Sequence, residues 1–169
     1  MTISGGGFVV RDNNDTIIFK VKGKLMTLRY QRVLLDAAGK PIVTLREKIM
    51  SAHDRWNVYR GESKKSSDLI LTVRQSSRIQ LKAKLHVFLA NDTIEEVCDF
   101  MVEGSTWTKK TFVVYTGDRT NIVAKMCKKT TVRSVLIGKD HYSLTVHGNV
   151  DYAFIAALIV NILDDVTHN

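Results

Sequence analysis

Residues 81–89 read LKAKLHVFL, the clearest alternation of apolar and polar side chains in this sequence. Five aliphatic residues would share one face of a strand: Leu81, Ala83, Leu85, Val87 and Leu89. Lys82, Lys84 and His86 would share the other face, because successive side chains of a strand point to opposite sides. The stretch therefore predicts a half-buried β-strand whose basic face contacts water or a binding partner.

Turn signals divide the rest of the chain into many short strand-like runs. Asp12–Asp15 and Ala38–Pro41 each separate two apolar runs, and sequences rich in Asn, Asp and Gly tolerate the backbone of tight hairpins. Val, Ile and Thr supply 47 of the 169 residues, which favours strands. About ten to twelve strands without intervening helices predict an antiparallel sandwich or barrel.

The carboxyl-terminal region departs from this pattern, because Tyr152–Leu163 contains a single polar side chain, Asn161. A helix that is apolar on all sides must be buried, and Asn149 and Asp151 suit its amino-terminal end. At about 18 Å the helix is too short to cross a hydrocarbon core of roughly 30 Å, which disfavours the alternative of a tail anchor. We therefore predict a helix from about Val150 to Asp164, threaded through a closed β-barrel.

The charge balance indicates which partners the protein attracts. Twenty-five basic and 17 acidic side chains give a net charge of +8, which favours nucleic acid, anionic lipid headgroups or acidic proteins. The first seven residues lack the charged and apolar regions of a signal peptide, and Cys98 and Cys127 allow at most one disulfide. We expect a cytoplasmic protein with reduced thiols and no transmembrane segment, with a peripheral plasma-membrane or a nuclear position left open.

Residues typical of catalysis or metal binding are few and poorly spaced. Ser51, His53 and Asp54 are the residue types of a hydrolytic triad, but no Gly-x-Ser-x-Gly nucleophile elbow accompanies them. The five histidines and two cysteines show no paired metal-ligand spacing. We therefore expect no enzyme activity, no cofactor and no metal.

Six stretches carry a resemblance that extends, in order, over nearly the whole chain: Phe8–Asp12, Ile18–Val21, Arg32–Asp36, Pro41–Lys48, His53–Trp56 and Asn149–Ala156. Together they resemble the plant LURP-one-related family. The resemblance implies a mainly β, tubby-like fold, a single closed antiparallel barrel of about twelve strands around a buried hydrophobic C-terminal helix. We accordingly predict one domain over residues 8–169, preceded by an N-terminal tether over residues 1–7.

The same resemblance carries expectations about function. The wider superfamily includes the phospholipid scramblases, and tubby proteins bind phosphoinositide headgroups at the plasma membrane and have been proposed to act in transcription. By analogy of fold, the resemblance implies a non-catalytic binding module linked to signalling or transcription. One alternative is a scaffold or protein-interaction role in plant defence, in which basic faces dock an unknown acidic protein. DNA binding without sequence preference is the third.

Two basic segments are the candidate binding regions, with seven basic against two acidic residues over 60–86 and eight against one over 109–139. The tubby phosphoinositide site uses two basic residues, two positions apart on a strand, and the matching stretch here is Leu71–Arg78. Arg74 matches the first basic residue, whereas Ser76 stands at the second. The resemblance therefore implies an anion-binding set that other basic residues complete: Arg74, Arg78, Lys82 and Lys84. The competing interpretation is that these residues keep exposed strands soluble.

Overall fold

The part of the chain that the computed structural model describes is almost entirely β-structure. It covers residues 2–4, 7–23, 31–48, 55–76, 82–90, 96–105, 111–129, 140–148, 150–151, 153–155 and 157–158. Twelve strands lie within it: β1 (Thr2–Ser4), β2 (Gly7–Arg11), β3 (Ile17–Gly23), β4 (Gln31–Asp36), β5 (Pro41–Glu47), β6 (Arg55–Arg60), β7 (Leu69–Gln75), β8 (Lys82–Leu89), β9 (Phe100–Ser105), β10 (Thr111–Thr116), β11 (Ile122–Lys129) and β12 (Asp140–Val146). A short 3₁₀ helix, Ser66–Asp68, connects β6 to β7.

The strands follow one another in space as they do in sequence. Each strand from β2 to β12 pairs antiparallel with the next, so these eleven strands form one continuous sheet. The three-residue β1 pairs with both edge strands: Thr2 lies opposite Val9 of β2 and opposite His141 of β12. Residues 2–4 fall within the expected tether, and the domain boundary at residue 8 stays a prediction.

The predicted fold class, a closed barrel around a buried hydrophobic C-terminal helix, is wrong, because the described residues contain no substantial helix. Within the described residues, helical backbone occurs only at 153–155 and 157–158, while 159–164 lie outside the description. The cap is Asp151, because its carboxylate accepts a hydrogen bond from the Ala153 N–H (2.8 Å) and its carbonyl accepts one from the Ile155 N–H (3.1 Å). Asn149, the predicted cap, is not among the described residues.

The physical reason for this error is that an apolar run fixes burial but not the length of a helix. Most of the described core comes from inward-facing side chains of β3 to β12, with Ile155, Ala157 and Leu158 packed against them. The described structure is therefore one antiparallel sheet of eleven strands, joined at its edges by β1, with a short helical stretch in contact with its apolar face.

One close approach in this core requires glycine. Gly104 of β9 lies opposite Phe112 of β10, and a Cβ atom at position 104 would overlap the Phe112 ring. Phe112 is almost completely buried. The missing side chain at Gly104 therefore makes room for the largest side chain that β10 sends into the core.

Candidate anion-binding surface

The outer faces of β6, β7 and β8 form the strongest candidate site among the described residues. Leu85 and Val87 of β8 are buried in the core, as the alternation predicts, and Val73 of β7 joins them. Arg74 and Lys84 alternate with these core residues, so they lie on the opposite, outer face of the sheet. Both side chains are partly exposed.

The strand register places basic residues side by side on this face. Arg55 of β6 lies directly opposite Arg74 of β7, and Arg74 lies directly opposite His86 of β8. Lys84 is two residues before His86, which puts it on the same face and diagonal to Arg74. We call these four residues, Arg55, Arg74, Lys84 and His86, the cationic surface. The register therefore gathers basic side chains from three strands on one outer face.

An aromatic ring holds part of the cationic surface in place. The Arg74 guanidinium lies over the ring of Phe88, with Cζ 4.9 Å from the ring centroid. The His86 ring meets the same phenyl ring edge-on, with centroids 6.4 Å apart and an interplanar angle of 82°. Phe88 is only 2% exposed, although it lies on the outer face of β8. Cation–π contact and burial therefore restrict where the Arg74 guanidinium sits.

His86 is the unusual member of the cationic surface. Its Nε2 atom is buried and has no hydrogen-bond partner among the described residues. Burial lowers the pKa of His86 below its usual value, and the charges of Lys84 and Arg74 lower this pKa further. The ring is therefore neutral near pH 7, and the fixed charge of the surface comes from Arg55, Arg74 and Lys84.

The acidic residue nearest to Lys84 in the register is already paired. Glu103 of β9 lies opposite Lys84. Its carboxylate accepts a hydrogen bond from Arg119 at 2.9 Å in a salt bridge, and the Arg119 guanidinium also lies 5.7 Å from the Tyr115 ring centroid. Because Arg119 contacts Glu103, this carboxylate adds little net negative charge beside the cationic surface.

The structure brings two of the four predicted site residues together. Arg74 of β7 and Lys84 of β8 lie on neighbouring strands. Lys82, also on β8, lies opposite Ser105 of β9, but its side chain is outside the description. Arg78 is also outside the described residues. Ser76, at the position of the second tubby basic residue, uses its N–H (3.0 Å) and its hydroxyl (3.1 Å) to bind the Lys84 carbonyl. Both hydrogen bonds connect the end of β7 to β8.

Two members of the cationic surface were not predicted as site residues. The alternation over residues 81–89 placed His86 on the polar face of its strand. Its position between that face's lysines, Lys82 and Lys84, and the end of the strand could have identified it as a site residue. Arg55 could not be found, because only the pairing of β6 with β7 reveals that it lies opposite Arg74.

Other chemistry is sparse in the described part of the chain. No group of three or more His, Cys, Asp or Glu in it could hold a metal ion. Cys98 and Cys127 are free thiols, and burial is the main cause that raises the pKa of Cys98, which keeps it protonated. Ser51, His53 and Asp54 lie outside the described residues. Within the described residues, no helix has both the length and the apolar character needed to span a bilayer.

Comparison with known proteins gives a consistent result. The sequence profile of the family described as LURP-one-related matches residues 1–164. Protein LURP-one-related 15 of Arabidopsis thaliana is 54% identical over 98% of this chain and 76% of its own length, and Protein LURP1 of the same plant is 49% identical over 97% and 79%. An X-ray structure of a protein from Arabidopsis thaliana is similar with a TM-score of 0.73 and 45% identity, covering 96% of this chain and 85% of that one.

Proposed function

We propose that this protein, which belongs to the LURP-one-related family, is a non-catalytic binding module that docks on anionic lipid headgroups through its cationic surface. The observation that carries the proposal is the register of β6, β7 and β8, which sets Arg55, Arg74 and His86 in one transverse row with Lys84 beside them. The preferred ligand in this proposal is a phosphoinositide, and the protein tethers peripherally to the cytoplasmic side of the plasma membrane, where it contributes to signalling or transcription.

The chemistry of the surface suits a phosphorylated headgroup. Guanidinium groups form paired, charge-assisted hydrogen bonds with phosphate oxygens, and a lysine adds a further donor and charge. The Phe88 ring under Arg74 limits the freedom of that guanidinium, so less entropy is lost when it binds a ligand. Each basic residue near an anionic bilayer contributes about 1 kcal/mol to binding.

Co-sedimentation with vesicles tests this proposal. The vesicles contain phosphatidylcholine alone, phosphatidylcholine with phosphatidylserine, or phosphatidylcholine with a phosphoinositide, each at low and at physiological salt. We expect binding to the phosphoinositide vesicles at physiological salt. The double variant Arg74→Ala/Lys84→Ala should bind about thirtyfold more weakly, because two charges contribute about 2 kcal/mol.

The matched control removes the same two charges from elsewhere on the protein. Lys40, in the β4–β5 turn, and Lys125, on β11, are both exposed and lie outside the cationic surface. The Lys40→Ala/Lys125→Ala variant should keep wild-type affinity for phosphoinositide vesicles. An equal loss in both double variants, or binding to all anionic vesicles at low salt only, would show that net charge alone is responsible. That result overturns the proposal and favours an acidic protein partner, as in a scaffold role in plant defence.

A further inference from the structure

We infer that His86 is a binding residue of the cationic surface, and that its ring takes up a proton from solvent when a dianionic oxyanion binds beside it. The inference rests on the proposed function and adds its regulation, since binding becomes tighter as the pH falls. The ligand chemistry is that of phosphate or sulfate, whether free or at the end of a headgroup.

Geometry is the first support. His86 lies directly opposite Arg74, and both side chains contact the Phe88 ring. The Nε2 atom of His86 is buried without a hydrogen-bond partner among the described residues, which is an uncommon and costly condition for a ring nitrogen. Because Nε2 itself is shielded from solvent, an oxyanion held by Arg74 would act on the neighbouring ring through its charge, which favours the protonated form.

The groups around His86 determine the sign of the pH effect. Lys84 lies on the same strand, Arg74 faces His86 from β7, and the neutral Met101 faces it from β9. Glu103 is on the β9 diagonal and is salt-bridged to Arg119, and the protonated thiol of Cys98 is uncharged. Asp99, on the other diagonal and immediately before β9, accepts a hydrogen bond from the Leu89 N–H at 2.7 Å. The two charges that lower the pKa of the His86 ring are those of Lys84 and Arg74, and both are positive.

Linkage then couples binding to protonation. In the free protein, burial, Lys84 and Arg74 lower the pKa of His86, so the ring is neutral at neutral pH. A bound dianion favours the charged ring and raises this pKa. Affinity must therefore increase as the pH falls from the pKa of the bound state towards the lower pKa of the free state, and each unit between them gives about tenfold.

NMR titration of the histidine ring protons of the full chain provides the test, with sodium sulfate as the probe. Sulfate keeps its two charges throughout the range from about pH 5 to about pH 8, so any pH effect belongs to the protein. Ionic strength is held constant with chloride. We expect sulfate to raise the midpoint of the His86 titration by about one unit and to bind about tenfold more tightly at the acidic end.

Two variants and one internal reference separate the outcomes. His86→Gln keeps a polar side chain but cannot titrate, so it should bind sulfate with a flat pH profile, whereas Lys125→Ala should keep the wild-type profile. The exposed His147 serves as the internal reference for general salt effects. An unmoved His86 midpoint in sulfate, or an unchanged pH profile in His86→Gln, overturns the inference. Vesicle binding that depends on Arg74 and Lys84 but not on His86 would leave the proposed function standing while this inference fails.

Discussion

At the scale of single residues, Gly104 shows how packing and sequence depend on each other. A Cβ atom at this position would overlap the Phe112 ring, and Phe112 is almost fully buried, so any shift of the ring must take place within the packed core. We expect Gly104→Ala to lower the free energy of unfolding by about 1–3 kcal/mol, the usual cost of overpacking a core. Urea denaturation of the wild type and the variant measures this difference.

A double variant at the same site checks the cause of that loss. Phe112→Leu removes ring atoms that the new methyl group would meet, at the price of a cavity. If overlap is the cause, Gly104→Ala should cost less in the Phe112→Leu background than in the wild type. Equal costs in both backgrounds would point to the backbone of β9 instead.

At the scale of single elements, the helical stretch after β12 depends on its cap. The Asp151 carboxylate accepts a hydrogen bond from the Ala153 N–H, which otherwise has no acceptor in the first turn. We expect Asp151→Ala to cost about 1 kcal/mol of stability and Asp151→Asn to cost much less, because asparagine also accepts this bond. Thermal melts of the two variants provide the comparison, and equal melting temperatures for alanine and asparagine would contradict a capping role.

The individual elements also show how far sequence reasoning could go. The alternation over 81–89 predicted correctly that Leu85 and Val87 face the core, since period-two patterns follow directly from strand geometry. The extent of the C-terminal helix was predicted wrongly, because an apolar run indicates burial without giving a length. The cationic surface was found only in part, since the Arg55–Arg74 pairing depends on the register between strands that are joined by residues 61–68.

At the scale of the whole molecule, the arrangement of charge follows from the order of the strands. Sequential antiparallel pairing brings Arg55, Arg74 and Lys84 together from three different strands, although 29 positions separate the first from the last. The same pairing leaves Glu103, on the fourth strand of this group, beside Arg119. The sheet thus collects basic residues from three strands on one outer face.

The sheet as a whole depends on β1, the shortest of the described strands, because β1 alone pairs with both β2 and β12. Ile3 lies opposite Phe8 on one side and Asp140 on the other. Proline at this position removes a backbone N–H and disfavours strand pairing, so we expect Ile3→Pro to separate the two edges. Hydrogen exchange at the amides of β12 near Asp140 and His141 should then become faster, while exchange in β7 and β8 stays slow.

An unpaired edge has a second consequence that can be measured separately. Exposed edge strands recruit other chains, so Ile3→Pro should also increase self-association in analytical ultracentrifugation. Ile3→Val keeps the backbone N–H and is the matched control, with exchange and association like the wild type. Unchanged exchange at β12 in the proline variant would mean that β12 is held by its pairing with β11 alone. In that case the eleven-strand sheet would be stable with free edges, and β1 would contribute nothing to its integrity.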